Sequence, residues 1–215
     1  MENISTRERI LTSAIEVFGE HGYKAATVRE ICKRASVGIA SVNYYFHDKE
    51  GLYLEVYRAI ITSAIQAFPT DMGLGADPGP EQRLHAFIRS LLYRLPMIAG
   101  SHNSMLVREM LDPSPSLADL HMELVKPLKE ILSSIVVVLL GPGALINEIE
   151  LCMSSIVGQC LFYNPHAVRV RQSFQEGDSA GKDIEAISRH ITAFSLAGIY
   201  AVRDRHHAEG EVHVE

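Results

Sequence analysis

The chain has 215 residues, 47% of them hydrophobic and 21% charged, so it can bury a sizeable core and wholesale disorder is excluded. Its net charge of −6, taken whole, argues against nucleic acid as a partner. A local basic face remains open: positions 24 to 49 hold five basic residues and only Glu30 and Asp48 as acids, and screening confines remote charge to about 10 Å.

In chain order, Ser5-Thr-Arg-Glu8 is a capping box that opens a first helix. The apolar face of that helix is Ile10, Leu11, Ala14, Val17 and Phe18, and Gly22 is its expected left-handed stop. Thr27-Val-Arg-Glu30 reads as a second box, starting a short helix with Val28, Ile31, Cys32 and Ala35 inward. A turn at Ser36-Val37-Gly38 leads to another short helix from Ile39 to Phe46, and Asp48 is placed to cap a fourth. The fourth, at 48–68, carries Tyr53, Tyr57, Ile60, Ile61, Ala64, Ile65 and Phe68 as one stripe and is long enough to link two domains. Proline- and glycine-rich breaks at 69–80, 112–116, 141–143 and 164–182 separate further helices expected at 81–98, 103–111, 116–140, 144–163 and 183–205. Pro127 should kink the third of these. The expected fold class is all-α, with a three-helix helix-turn-helix domain at 1–50 and a larger helical domain at 51–215 for ligand sensing and dimerisation.

Two short helices behind a supporting helix have the helix-turn-helix layout, with the second as reader. Its inward side is Val42 and Phe46; its outward side is Ile39, Ala40, Ser41, Asn43, Tyr44 and Tyr45. Asn43 can pair two edges of adenine, Ser41 can bond base or phosphate, Ile39 and Ala40 can touch a thymine methyl, and both tyrosine hydroxyls can reach phosphates. Thr27 stands at a helix N-terminus, Arg29 lies one turn in, and Lys49 is a cation at a helix start, where the dipole disfavours it unless a phosphate docks there. Pattern alone leaves open an ordinary helix pair with half-buried tyrosines.

The run at 22–52, GYKAATVREICKRASVGIASVNYYFHDKEGL, resembles the DNA-binding domain of the TetR family, and the likeness spans about residues 5–55. The resemblance implies DNA contacts by Thr27, Arg29, Ser41, Asn43, Tyr44, Tyr45 and Lys49. Three positions depart from the family pattern: Ser36 replaces the usual turn glycine, Gly38 a frequent serine, and Asn43 a common aromatic. The VNYYF run, with REMLDPSPSL at 108–117, resembles the CecR-like subgroup.

The C-terminal helices of that family enclose a ligand cavity, and the last two form a dimer interface. The resemblance therefore implies a homodimer on a double-stranded DNA operator, released by a small hydrophobic or amphipathic effector. Candidate pocket residues are Phe87, Leu91, Met97, Met105, Met122 and Phe162 as adaptable walls, with Arg94, His102, Arg108, Glu109, Gln159 and Tyr163 as polar contacts. Each also reads as ordinary core or surface. Candidate dimer residues are Cys152, Ile156, Cys160, Ile187, Ile191, Phe194 and Gly198, for which an intramolecular core is the competing reading.

Three cysteines, Cys32, Cys152 and Cys160, suit a reducing compartment and inert buried thiols. His85, His102, His121, His166 and His190 are scattered, and adjacent His206 and His207 point apart, so no metal site is expected. Met1-Glu-Asn opens no leader pattern, and the longest apolar run, 135–140, falls far short of the ~20 residues of a membrane span. The expectation is a soluble cytoplasmic protein with no membrane partner and no cofactor. No Gly-x-Ser-x-Gly, His-Glu-x-x-His or phosphate-cradling glycine loop supports an enzyme. The alternative to a ligand-released repressor is a DNA-binding regulator without an inducer, whose C-terminal domain dimerises or recruits a protein.

Overall fold

The computed structural model describes residues 5–99, 115–163 and 183–211. The expected helix at 103–111 lies outside them, as do candidate residues His102, Met105, Arg108 and Glu109. The described residues form eight helices and no strand: α1 Thr6–Ala25, α2 Val28–Ala35, α3 Ile39–Phe46, α4 Lys49–Ala67, α5 Pro80–Ala99, α6 Pro115–Leu140, α7 Ile146–Phe162 and α8 Ile184–Glu211. Among them no helix is long and apolar enough to cross a membrane. The chain divides into two compact units, Met1–Ala64 with Met97–Leu124 and Ile65–Pro96 with Val125–Glu215. The divisions fall inside α4, α5 and α6. Pro96 and Pro127, both within helices, stand close to two of them.

In the first unit the N-terminal box forms as expected: the Ser5 hydroxyl accepts from the Glu8 amide and the Glu8 carboxylate accepts from the Ser5 amide. Gly22 takes φ 71°, ψ 172°, a positive φ that interrupts the helix, yet helical turns resume to Ala25. The expected stop is therefore a kink. The Ala26 amide bonds back to the Gly22 carbonyl, which holds the chain in the helix direction. Ile10, Ala14, Val17, Phe18, Ile31, Val42, Phe46, Leu52 and Val56 make an apolar interior among α1 to α4. Phe18 and Tyr23 from α1 both meet Tyr53 of α4, at centroid distances of 5.0 and 4.7 Å. The N-terminal turns of α6 also belong here. Tyr57 hydroxyl meets His121 Nδ1, and Arg58 pairs with Glu123 at 3.0 Å.

The second unit packs Leu84, Phe87, Ile88, Leu92 and Leu95 of α5 with Leu132, Ile135, Val136 and Leu139 of α6, Met153, Ile156 and Cys160 of α7, and Ile191 and Ile199 of α8. Polar ties surround this core: Arg89 and Tyr93 both bond Glu185, and Tyr200 donates to Glu81 at 2.7 Å.

Candidate nucleic-acid interface

Helix α3 is held by its neighbours through a few identifiable contacts. Ser36, after α2, sits at φ 53°, ψ 50°, a left-handed conformation that costs a side-chain-bearing residue about 1–2 kcal/mol. The Arg9 guanidinium donates to the carbonyls of Ala35 and Ser36, fixing this corner against α1. The Val37 amide bonds Cys32 O at 3.0 Å, and the Cys32 thiol lies 3.8 Å from Gly38 O. At the far end, a Cβ on Gly51 would stand 2.2 Å from Phe46 O, so only glycine allows the first turn of α4 to approach α3 this closely. Asp48 caps that turn by accepting from the Gly51 amide at 2.8 Å. Gly51 was visible in the sequence only as one letter of the Lys-Glu-Gly-Leu run. A glycine inside a helix's first turn is the signal that points to it.

With Val42 and Phe46 anchored inside, the opposite face of α3 points to solvent. Tyr44 is 78% and Ile39 52% exposed; Ala40, Asn43 and Tyr45 are exposed too, and Ser41 is half-buried. Tyr44 and Tyr45 pack edge to face at 4.9 Å. The helix begins at extended Gly38 with no side-chain cap, which leaves early amides available to an anion. Thr27 is exposed and accepts from the Glu30 amide at 3.2 Å, keeping its hydroxyl proton to donate. The reciprocal half of the second capping box does not form. Glu30 is drawn instead to Arg34 at 2.9 Å and His21 at 3.3 Å. Arg29 is exposed and makes no ion pair among the described residues, whereas Arg7, Arg34 and Arg58 are paired. Lys49 is half-buried, its ammonium 4.5 Å from the Tyr23 ring centroid. Thr27, Arg29, the α3 residues and Lys49 thus all belong to the first unit, at three consecutive helices.

A cluster not foreseen from sequence lies nearby: ligand atoms of Glu20, His21 and Glu30 fall within 4.8 Å of one another. The Arg34 guanidinium bonds both carboxylates, at 2.8 and 2.6 Å to Glu20 and 2.9 Å to Glu30. Their charge is therefore met by a cation of the chain itself.

In the second unit the candidate pocket and dimer residues separate. Gln159, Phe162 and Tyr163 line an open groove of about 350 Å³ with Gly158, His190 and Ile191. Phe87 is instead core, and Leu91 is half-buried against that core. Met122 is 61% exposed and in the first unit, because α6 turns Leu117 and Leu120 inward at that level; Met97 is also exposed and in the first unit. Arg94 is 1% exposed. Of the dimer candidates, Ile156, Cys160 and Ile191 are buried in the chain's own core, and Cys152 and Ile187 pack against it. Burial pushes the Cys160 thiol up to about 12, so it is unreactive. Phe194 and Gly198 remain exposed, in line with Ala193, Ala197 and Ala201 on α8, and Leu151, Ser155 and Gly158 are exposed on α7. The outward stripe lies next to the aliphatic one that sequence selects.

Comparison with known proteins gives two matching families: the N-terminal domain of bacterial regulatory proteins of the tetR family over residues 10–56, and the C-terminal domain of the HTH-type transcriptional dual regulator CecR over residues 80–199. The HTH-type transcriptional dual regulator CecR of Shigella flexneri is 26% identical over 170 residues, covering 73% of this chain and 74% of that protein. A probable HTH-type transcriptional regulator, YttP of Bacillus subtilis, is 43% identical over 49 residues, 23% of this chain and 24% of its own length. The crystal structure of FadR from Bacillus subtilis in complex with stearoyl-CoA superposes with a TM-score of 0.62 at 20% identity, covering 88% of this chain and 97% of that one. An exposed reader helix on an all-α frame and two family matches spanning both halves lead to one conclusion: the chain belongs to the TetR family of DNA-binding transcription regulators and is CecR-like.

Proposed function

We propose that this regulator is a repressor that binds a pseudo-palindromic operator as a homodimer and is released by a small-molecule ligand. The observation that carries the DNA part is the outward face of α3. Tyr44 and Ile39 are largely exposed beside Asn43, while Val42 and Phe46 of the same helix are fully buried. Exposure of large apolar groups brings the isolated chain no stability, and a major groove offers thymine methyls and base edges to that surface. Thr27, Arg29, Tyr44, Tyr45 and Lys49 serve the phosphates, Ser41 bonds base or phosphate, and Asn43 reads a base, with Ile39 and Ala40 in apolar contact. Residues 1–50 act as the reading domain and 51–215 as the sensing and pairing domain.

The exposed stripe of Ala193, Phe194, Ala197 and Gly198 supports pairing through α7 and α8, since small residues around one aromatic let two helix pairs approach closely. Two reader helices then occupy major grooves about 34 Å apart. Ligand shifts their spacing with a coupling of about 1–3 kcal/mol. The stearoyl-CoA bound to FadR supports an amphipathic effector. One observation favours the reading without an inducer: the groove at Gln159, Phe162 and Tyr163 is open, as a docking face is, and Phe87 is packed into the core.

Selection of bound fragments from the parent genome tests the proposal. The expected product is a pseudo-palindrome occupied by two chains, from which a compound screen recovers a releasing ligand. Enrichment of no common sequence would refute it.

A further inference from the structure

Arg94 is the one side chain among the described residues whose burial the fold does not explain. It lies on α5, 1% exposed, with Leu91, Leu92 and Leu95 beside it in the helix and all three in or against the apolar core. Its Nε donates to Ser90 O at 3.3 Å, a weak bond to its own helix. The Ser90 hydroxyl is already committed to Phe68 O at 2.7 Å. Arg94 Nη2 is sealed from solvent and has no hydrogen-bond partner among the described residues. Burial lowers the guanidinium pKa to about 10, and no opposing charge among the described residues offsets the shift. The group is still a cation at neutral pH. The unit does not lack means of pairing cations, because Arg89, five residues earlier, holds Glu185 at 2.6 Å.

A buried guanidinium with a donor nitrogen left unmatched is unfavourable, and such a group calls for something from outside that completes it. Guanidinium recognises carboxylate and phosphate through charge-assisted hydrogen bonds, and the Arg94 Nη2 donors are free to make one. The apolar neighbours require the rest of such a ligand to be apolar, since a hydrated ion does not enter a leucine-lined interior. We propose that Arg94 is the anion-recognising residue of an effector site in the C-terminal unit, and that the effector is an organic anion carrying a carboxylate or phosphate on an apolar body. This rests on the ligand-released reading above and narrows its chemistry.

The test uses the full-length protein, with Arg94→Met and Arg94→Lys, and three probes: octanoate, octyl phosphate and uncharged octanol. Without probe, Arg94→Met is expected to melt roughly 2–6 °C above the wild type, because an unmatched buried charge is gone. Calorimetry should show wild type binding an anionic probe at least tenfold more tightly than octanol. The ratio should fall to about one in Arg94→Met and be partly kept in Arg94→Lys. Comparing octanoate with octyl phosphate separates the two headgroups. An Arg94→Met protein that melts below wild type would overturn the inference, since the buried cation is then not the unmet cost that the proposal requires. Equal binding of octanol and octanoate, unchanged in Arg94→Met, would overturn it too while leaving ligand sensing standing. If none of the three binds, the amphipathic-anion class falls, and release of operator in the compound screen still judges the ligand-sensing reading on its own.

Discussion

The ammonium of Lys49 lies 4.5 Å from the centroid of the Tyr23 ring, tying the first residue of α4 to the end of α1. A cation at a helix N-terminus is disfavoured by about 0.3–1 kcal/mol, and a cation–π contact at a partly exposed site returns about 0.5–1 kcal/mol. The two nearly cancel, so the position is tolerable without DNA. A phosphate contact is then an added role for Lys49 that the fold does not demand. Lys49→Ala should weaken operator binding across sequences and reduce the salt slope by about one unit, whereas Tyr23→Leu should lower Tm and leave the slope alone. A Lys49→Ala protein with the wild-type slope would restrict the residue to its contact with Tyr23.

Asn43 is exposed, and no side-chain hydrogen bond holds its amide among the described residues. It can therefore present donor and acceptor together to the N6 and N7 edge of adenine. Asn43→Ala should cost about 1–3 kcal/mol of discrimination at one base pair of each half-site and little at the others. Repeating the fragment selection with the variant checks this. An unaltered preferred sequence removes Asn43 from base reading.

Capping and periodicity made the first unit legible in the sequence. Ser5, Thr27 and Asp48 each cap the helix expected of them, and the alternation of Val42 and Phe46 with exposed neighbours fixed the face of α3. Local rules give way where tertiary partners compete with them. Glu30 left its capping box for Arg34 and His21, and Gly22 bent α1 without ending it. In the second unit every helix carries apolar residues on more than one side. Spacing alone therefore did not separate Ile156, Cys160 and Ile191, which face inward, from Phe194, which faces out. The isolation of Arg94 was equally invisible, since it depends on which groups fail to reach it.

Ser36 holds a backbone conformation that favours glycine. Its left-handed conformation costs about 1–2 kcal/mol, while glycine there would lose about 0.5–1 kcal/mol more chain entropy on folding. The strain outweighs the entropy. Ser36→Gly should raise Tm by roughly 1–4 °C, and removing the Arg9 donors with Arg9→Met should lower it. A Ser36→Gly protein that melts below wild type would mean that the serine makes a stabilising contact greater than its backbone strain.

Phe194 is 64% exposed in the single chain, on a stripe otherwise made of small residues. If that stripe is the pairing face, Phe194→Glu places a charge at its centre and should convert the dimer to monomer at micromolar concentration, seen by sedimentation, with the helical content retained. Ile191→Glu, one turn back but buried, should unfold the second unit instead. A Phe194→Glu protein that sediments as the wild type would move the interface to another face.

Two half-buried histidines predict acid sensitivity. His85 on α5 bonds Thr192 Oγ1 at 3.0 Å, and His121 on α6 meets the Tyr57 hydroxyl. Partial burial lowers both imidazoles below their ordinary value of 6.5; at His85 nearby Arg89 and Arg189 act in the same sense and Glu185 against it. Unfolding therefore takes up protons between the ordinary and the depressed values. The stability these groups contribute is fully present above about pH 6.5 and is lost as the pH falls through the lowered values. Tm should be level on this account near pH 7.5 and decline toward pH 5. The double variant His85→Gln, His121→Gln keeps a hydrogen-bonding group at each position without a titrating one, so its decline over that range should be shallower. Carboxylate ion pairs such as Arg89–Glu185 weaken only at lower pH, because that glutamate is held below its usual range by the Arg89 guanidinium. An equally steep decline in the double variant would assign the acid sensitivity to other groups.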